Sequence, residues 1–172
     1  MSANAASWRT LTDVQRAGWE SLGLEMSRTD SLGSTYTLNG FQAYCSVNNN
    51  LAVTSLAAVA AAPALATPDA IASATITLTN AAFSIAFTPT PLDADEYLLV
   101  FASPQVSAGR SFQSDMRLIF VGAEATTSPA NVFSAYQAKF GTPVTGNKVF
   151  VTLFRTFGGF TSGPLLKSQV VA

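Results

Sequence analysis

The chain has 172 residues and a formal net charge of −1, and 48% of its residues are hydrophobic while only 11% are charged. Soluble domains usually carry about 25% charged residues, so the surface of this chain must consist largely of Ser, Thr, Asn, Gln and Ala. Copies with such a surface repel one another weakly, which suits assembly, although an ordinary domain with a bland surface is the alternative.

Several classes of function are disfavoured by the residues that are missing. No Lys or Arg lies between Arg28 and Arg110, so the sequence predicts no basic surface for nucleic acid. There is no histidine, the commonest general base and metal ligand. The single cysteine, Cys45, cannot form an intrachain disulfide and is expected to be a small core residue. We therefore expect a protein that is not an enzyme and has no catalytic, cofactor-binding or metal-binding residues.

Neither a signal peptide nor a membrane span is expected. Residues 1–7 are small and polar and lack the charged and apolar regions of a signal peptide. The most apolar stretch, residues 51–66, is half alanine and is interrupted by Pro63, whereas a span needs about twenty strongly apolar residues.

The best-marked helix start in the sequence lies at Thr12. This residue can cap a helix, Gln15 stands where a capping-box partner belongs, and Asp13 suits the positive end of the helix dipole. Gly23 offers a left-handed stop, so the pattern predicts a helix of about three turns. The surrounding stretch holds both tryptophans of the chain. A helix this short is only marginally stable alone and needs a surface to pack on.

A second helix is predicted over residues 40–49. Asn39 and Gln42 form another potential capping box, and a run of three asparagines at residues 48–50 suits a helix end. We expect the two helices to form a small hairpin, and whether it packs within one chain or between two is left open. The candidates for packing or interface contacts are Trp8, Leu11, Trp19, Leu22, Phe41 and Tyr44.

The second half of the chain has the period-two pattern of half-buried strands. After an Ala- and Pro-rich linker at residues 52–69, strands are predicted at residues 73–80, 82–89, 97–102, 116–121, 148–157 and 165–171, with one helix at 128–141. Short strands with antiparallel turns predict a mainly β fold, an antiparallel β-sandwich of about seven strands over residues 70–172, preceded by the helical segment 1–51.

Two weak signals for binding remain. Asp93, Asp95 and Glu96 form the only acidic cluster and could bind Ca²⁺, but they lack the spacing of an EF-hand loop, so a solvated turn is favoured. The twelve phenylalanines could indicate a carbohydrate surface. Most of them occupy alternating strand positions that a sandwich core must fill, and a core role is therefore favoured.

Three stretches carry a resemblance to a known family. They are W-R-T-L-T-D-V-Q-R-A-G-W at residues 8–19, L-N-G-F-Q-A-Y-C-S-V-N-N-N-L at residues 38–51, and S-A-G-R at 107–110 with Y-Q-A-K-F-G-T-P-V-T-G-N-K-V-F-V at 136–151. Together they resemble a group of small structural proteins encoded in phages and prophages, whose most specific motif is W-x-x-L-T-x-x-Q-R-x-x-W. The resemblance covers most of the chain.

The resemblance implies a fibronectin type III- or immunoglobulin-like sandwich and a structural component of a virion, with no catalytic residues to transfer. We expect a capsid decoration or cement protein that binds and stabilises the capsid exterior. Its expected partners are the major capsid protein and copies of itself, with no nucleic acid and no membrane. It would be made in the host cytoplasm and located on the capsid surface. The alternative is a tail, fibre or surface module that recognises a glycan or a host protein.

Overall fold

The computed structural model describes residues 3–172, so the first two residues of the predicted helical segment lie outside the described part. The fold is mixed, with α-helices and antiparallel β-sheets. The chain divides into two compact units. We call Met1–Thr67 with Gly158–Phe160 the helical unit, and Pro68–Phe157 with Thr161–Ala172 the sheet unit.

The described part of the helical unit contains three helices and a small β-hairpin between the second and third. Its elements are α1 (Ala3–Thr10), α2 (Asp13–Glu25), β1 (Ser27–Thr29), β2 (Thr35–Thr37) and α3 (Gly40–Val53). The sequence prediction contained neither α1 nor the hairpin. Trp8 therefore lies on a separate short helix, and the polar connection before α3 is an antiparallel ribbon in which Arg28 pairs with Tyr36.

Both predicted capping boxes are confirmed. The backbone N–H of Gln15 donates to Thr12 Oγ1 over 3.3 Å, and the N–H of Thr12 donates to Gln15 Oε1 over 2.9 Å. At α3 the N–H of Gln42 donates to Asn39 Oδ1 over 2.8 Å, and the N–H of Asn39 donates to Gln42 Oε1 over 3.0 Å. Each box satisfies two backbone donors at a helix start.

The predicted helix ends were wrong. Gly23 is not a left-handed stop, because α2 continues to Glu25. A Cβ at position 23 would lie 2.6 Å from the carbonyl oxygen of Leu38, so glycine is needed there for a close approach of two backbone segments. Helix α3 likewise runs through the three asparagines to Val53.

The sheet unit carries two antiparallel sheets and one helix. One sheet has the order β3–β4–β8, and in the other the long strand β9 pairs with β5, β6, β10 and β11, while β7 lies beyond β5. The elements are β3 (Ser73–Leu78), β4 (Phe83–Thr88), β5 (Glu96–Ala102), β6 (Val106–Ser107), β7 (Arg117–Val121), β8 (Ala130–Asn131), α4 (Phe133–Phe140), β9 (Asn147–Phe157), β10 (Phe160–Thr161) and β11 (Leu165–Val170). Strand β10 crosses the boundary, since Phe160 belongs to the helical unit.

The six longer strands lie where the period-two pattern predicts them, and the predicted alternation holds in β4. There Phe83, Ile85 and Phe87 are buried, and the residues between them are more exposed. The helix predicted at residues 128–141 begins further along the chain than predicted. Ala130 pairs with Ile85 as part of β8, so α4 starts only at Phe133. The residues that the Ser-Pro signal predicted to form the first helical turn therefore pair with β4 as a strand.

Candidate interaction surface

The aromatic cluster of the helical unit is formed by side chains of a single chain. The indole of Trp19 is fully buried, and its Nε1–H donates to the carbonyl oxygen of Ala60 over 2.9 Å. Its ring meets the ring of Tyr44 edge-on, with centroids 5.2 Å apart. Leu11 and Leu22 are buried in the same cluster. These four packing candidates of the sequence analysis therefore form the core of the helical unit.

The other two candidates, Trp8 and Phe41, lie at the edge of that core. Their ring centroids are 5.6 Å apart, and Trp8 also contacts Tyr44 with a centroid distance of 5.4 Å. Trp8 is partly buried, and 37% of Phe41 is exposed. Together with Leu24, which is 70% exposed, they face solvent. The structure thus leaves an aromatic and aliphatic surface uncovered beside a well-packed core.

These exposed side chains line a groove of about 500 Å³, which we call the aromatic groove. Its lining residues are Trp8, Glu20, Leu24, Leu38, Asn39, Gly40 and Phe41. Sequence reasoning missed Glu20 and Leu24. The signal that could have found Leu24 is its position near the end of α2, where a large apolar side chain follows the buried Leu22 and Gly23.

Gly40 brings the two walls of the groove together. A Cβ at position 40 would lie 2.9 Å from both the Cγ and the backbone nitrogen of Glu20, so only glycine lets α2 and α3 approach this closely. The approach places Glu20 next to the first residue of α3, where the helix dipole favours a negative charge. Among residues 3–172, Glu20 makes no salt bridge, and the groove lining contains one carboxylate and no cation.

The hairpin formed by β1 and β2 is exposed along its whole length. Its tip is ordered by Asp30, whose Oδ1 accepts hydrogen bonds from the N–H groups of Leu32 at 2.8 Å and Ser34 at 2.9 Å. Gly33 adopts a φ of +86° there, and Leu32 is 89% exposed. The ribbon is a second exposed feature of the helical unit.

The acidic cluster of the sheet unit is not a fully solvated turn. Glu96 is buried and forms an ion pair with the equally buried Arg155. Asp93 is largely exposed, and its Oδ2 lies 3.4 Å from Nη2 of Arg155. Sequence reasoning missed the arginine, because it lies 59 residues from Glu96. Within the described part of the chain, no group of three His, Cys, Asp or Glu residues could hold a metal ion.

Cys45 lies partly buried on α3 and packs against the core of the helical unit. Burial raises the pKa of its thiol above the ordinary value. The thiol is therefore protonated at neutral pH, and the protonated form is a poor nucleophile.

Comparison of the chain with protein-family models and with curated proteins gives no match. Among residues 3–172, no helix is both long and apolar enough to span a membrane. The aromatic groove is a surface on which aromatic, aliphatic and charged side chains converge.

Proposed function

We propose that this chain is a structural protein of a phage virion, a decoration or cement protein that binds and stabilises the capsid exterior. The observation that carries the proposal is the aromatic groove, where Trp8, Leu24 and Phe41 remain partly or largely exposed beside a closed core. Exposed aromatic side chains on a charge-poor surface are typical anchors of protein interfaces.

The family resemblance supports the same surface. The motif W-x-x-L-T-x-x-Q-R-x-x-W contributes Trp8 to the groove, and it contributes Leu11 and Trp19 to the core beneath. Its Thr12 and Gln15 form the capping box that starts α2. The residues of the motif thus form the groove and the core that lies beneath it. This arrangement fits a role for the groove in assembly.

We further infer that the sheet unit is a β-sandwich of the fibronectin type III or immunoglobulin-like kind, which would serve as the rigid body of the protein. Support comes from one apolar core that takes side chains from both antiparallel sheets. Phe83 and Ile85 come from the smaller sheet, while Leu98, Val100 and Val151 come from the larger one. Facing sheets that share a core are the defining feature of a sandwich.

In this role the protein has two kinds of partner, the major capsid protein and further copies of itself. Its work is structural and non-catalytic, and it involves neither nucleic acid nor a membrane. Copies arranged around a symmetry axis of the capsid would bridge neighbouring capsid subunits. The protein would be made in the host cytoplasm and would reside on the capsid surface.

Co-sedimentation with purified capsids of the encoding phage tests the proposal. The wild-type chain should saturate capsids at a fixed copy number and raise their thermal stability. Trp8→Ala and Leu24→Ser should each weaken binding by about tenfold, as expected for interface anchors. Val14→Ser is the matched control, because Val14 is 83% exposed and does not line the groove. It should bind like the wild type.

Two outcomes would overturn the proposal. One is a wild-type chain that stays in the supernatant at every capsid concentration. The other is a stable monomer that binds an immobilised glycan or a host surface protein but no capsid, which would instead establish the tail or fibre module. Circular dichroism melting curves of Trp8→Ala and Leu24→Ser show whether weaker binding reflects lost anchors or lost folding.

A further inference from the structure

The composition of the aromatic groove restricts what can occupy it. Trp8 and Phe41 supply aromatic surface, and Glu20 supplies a carboxylate without an ion-pair partner among the described residues. A complementary segment therefore carries an apolar anchor next to a cation. Arginine fits best, because its guanidinium can pair with the carboxylate and also lie against an aromatic ring.

The chain itself has few cationic side chains that are free to pair with the carboxylate of Glu20. Arg16, Arg117 and Arg155 form salt bridges, and Arg28, Lys139 and Lys148 donate hydrogen bonds from their side chains. Across residues 3–172, this leaves the side chains of Arg9, Arg110 and Lys167 without a hydrogen bond or an ion pair.

The three remaining cations differ in their positions in the fold. Arg9 follows Trp8 on α1, the helix that already forms part of the groove wall. Lys167 lies in β11 next to the exposed Leu166, but adjacent residues of a strand point to opposite faces. Arg110 is two residues from Phe112, which is 64% exposed. Outside the groove wall itself, and among residues 3–172, only the loop carrying Arg110 has a free cation within two residues of an exposed aromatic side chain.

In this loop, residues 107–112, hydrogen bonds hold the backbone from Ser107 to Arg110 in place before any contact forms. The backbone N–H of Arg110 donates to the carbonyl oxygen of Ser107 over 3.0 Å. The ammonium group of Lys148 donates to the carbonyl oxygen of Arg110 over 2.8 Å. A fastened turn loses less conformational entropy on binding than a free one, so the backbone that carries Arg110 is preorganised for docking.

We propose that the 107–112 loop of one copy docks into the aromatic groove of a second copy. Phe112 enters between Trp8 and Leu24, and the guanidinium of Arg110 pairs with the carboxylate of Glu20. Loop and groove are different surfaces, so the contact forms reciprocally in a two-fold dimer or repeats from copy to copy in a ring or a chain. The inference builds on the proposed self-association at the capsid, where groove variants weaken capsid binding because they break the contact between copies, but it is tested on the isolated protein.

Analytical ultracentrifugation of the isolated full chain over a range of concentrations tests the contact. The wild type should associate reversibly, and salt should weaken the association because it screens the charge pair. Arg110→Glu and Glu20→Arg should each raise the dissociation constant by about tenfold or more, and the double variant should recover most of that loss. Phe112→Ser should abolish association. Lys167→Glu and Asp69→Arg, which reverse exposed charges elsewhere, are the controls.

Glu20→Gln tests the same carboxylate without adding bulk next to Gly40, and it covers the case in which Glu20→Arg fails to fold. A wild-type dissociation constant for Glu20→Gln overturns the inference. A wild type that is monomeric at all concentrations does the same, and so do groove variants that lose capsid binding while self-association is unchanged. Failure of the wild type to bind capsids overturns the proposed function alone, so the two failures are distinguishable.

Discussion

The side chain of Asn48 holds the backbone of Val59 by two hydrogen bonds. The N–H of Val59 donates to Asn48 Oδ1 over 2.7 Å, and Asn48 Nδ2 donates to the carbonyl oxygen of Val59 over 3.3 Å. The same Nδ2 also donates to the carbonyl oxygen of Tyr44 over 3.1 Å. One buried amide inside α3 thus fixes the Ala-rich segment that follows the helix, and the indole of Trp19 holds the next residue, Ala60.

Asn48→Ala should destabilise the helical unit by about 2–3 kcal/mol, because it removes these bonds and leaves the N–H of Val59 without its partner. Asn49→Ala is the matched control. Asn49 is the next residue of the same helix, is exposed, and accepts a solvent-exposed hydrogen bond from the side-chain amide of Asn4, so its loss should cost within about 0.5 kcal/mol. Urea unfolding monitored by tryptophan fluorescence measures both, and equal losses would contradict the role given to Asn48.

Two glycines of α2 should respond to alanine in opposite directions. Gly18→Ala should stabilise the protein by about 0.5–1 kcal/mol, because alanine favours helix and the new Cβ would lie an ordinary 3.6 Å from Ala62 Cβ. Gly23→Ala should destabilise it by about 1–3 kcal/mol, since the Cβ would clash with the backbone of Leu38. Thermal melts of the two variants measure the difference, and a stabilised Gly23→Ala would refute the close approach.

The features predicted correctly from sequence are those encoded by neighbouring residues. The capping boxes join residues three apart, and the alternation of Phe83, Ile85 and Phe87 is local to one strand. The reason for Gly23 was missed, because a glycine followed by polar residues has the same local pattern whether it ends a helix or allows a backbone from residue 38 to approach. Only the folded chain shows which of the two applies.

The candidate site likewise contains residues that the sequence predicted and residues that only tertiary contacts bring in. Trp8 and Phe41 stood out by residue type alone, but their neighbour Glu20 enters the groove only because α2 and α3 touch at Gly40. The ion pair between Glu96 and Arg155 joins residues 59 positions apart, through the antiparallel pairing of β5 with β9. Pairing over such distances depends on strand order, which the periodicity of a single strand does not contain.

Removing one member of the buried ion pair should cost more than removing both. Arg155→Met or Glu96→Leu alone leaves a buried charge without its counterion, and each should destabilise the sheet unit by about 3–5 kcal/mol. The double variant should recover much of this loss, because the two apolar side chains can pack together. A double-mutant cycle from urea unfolding measures the coupling.

Asp93→Asn is the control for this cycle. Asp93 is largely exposed, so its weaker contact with Arg155 should contribute no more than about 1 kcal/mol. Additive losses in the double variant would show that the pair is not coupled.

Alkaline pH should destabilise the sheet unit through Tyr136. Its phenol is fully buried, its Oη–H donates to the carbonyl oxygen of Ser103 over 3.2 Å, and burial raises its pKa well above the ordinary value. The unfolded chain loses this proton near pH 10, while the native protein keeps it. The stabilisation is therefore complete below pH 10 and is lost as the pH rises above it, by up to about 1.4 kcal/mol per pH unit.

Tyr136→Phe removes the titrating group. It should cost about 1 kcal/mol at pH 7, where the hydrogen bond is lost, and the difference from the wild type should shrink between pH 10 and 11. Tyr36→Phe, which removes a phenol that is 48% exposed and belongs to the helical unit, is the control. Urea unfolding across this pH range measures all three proteins, and parallel curves for Tyr136→Phe and the wild type would contradict the assignment.

The β1–β2 ribbon has a base that is bonded to the rest of the helical unit and a tip that is exposed. At the base, the N–H of Leu38 donates to the carbonyl oxygens of Gly23 at 3.1 Å and Met26 at 3.2 Å. At the tip, Gly33 has open space where a side chain would stand, and Leu32 is almost fully exposed. Added residues there would lengthen a surface loop without displacing core side chains. The tip is thus a permissive position for displaying an inserted peptide on each copy of the protein.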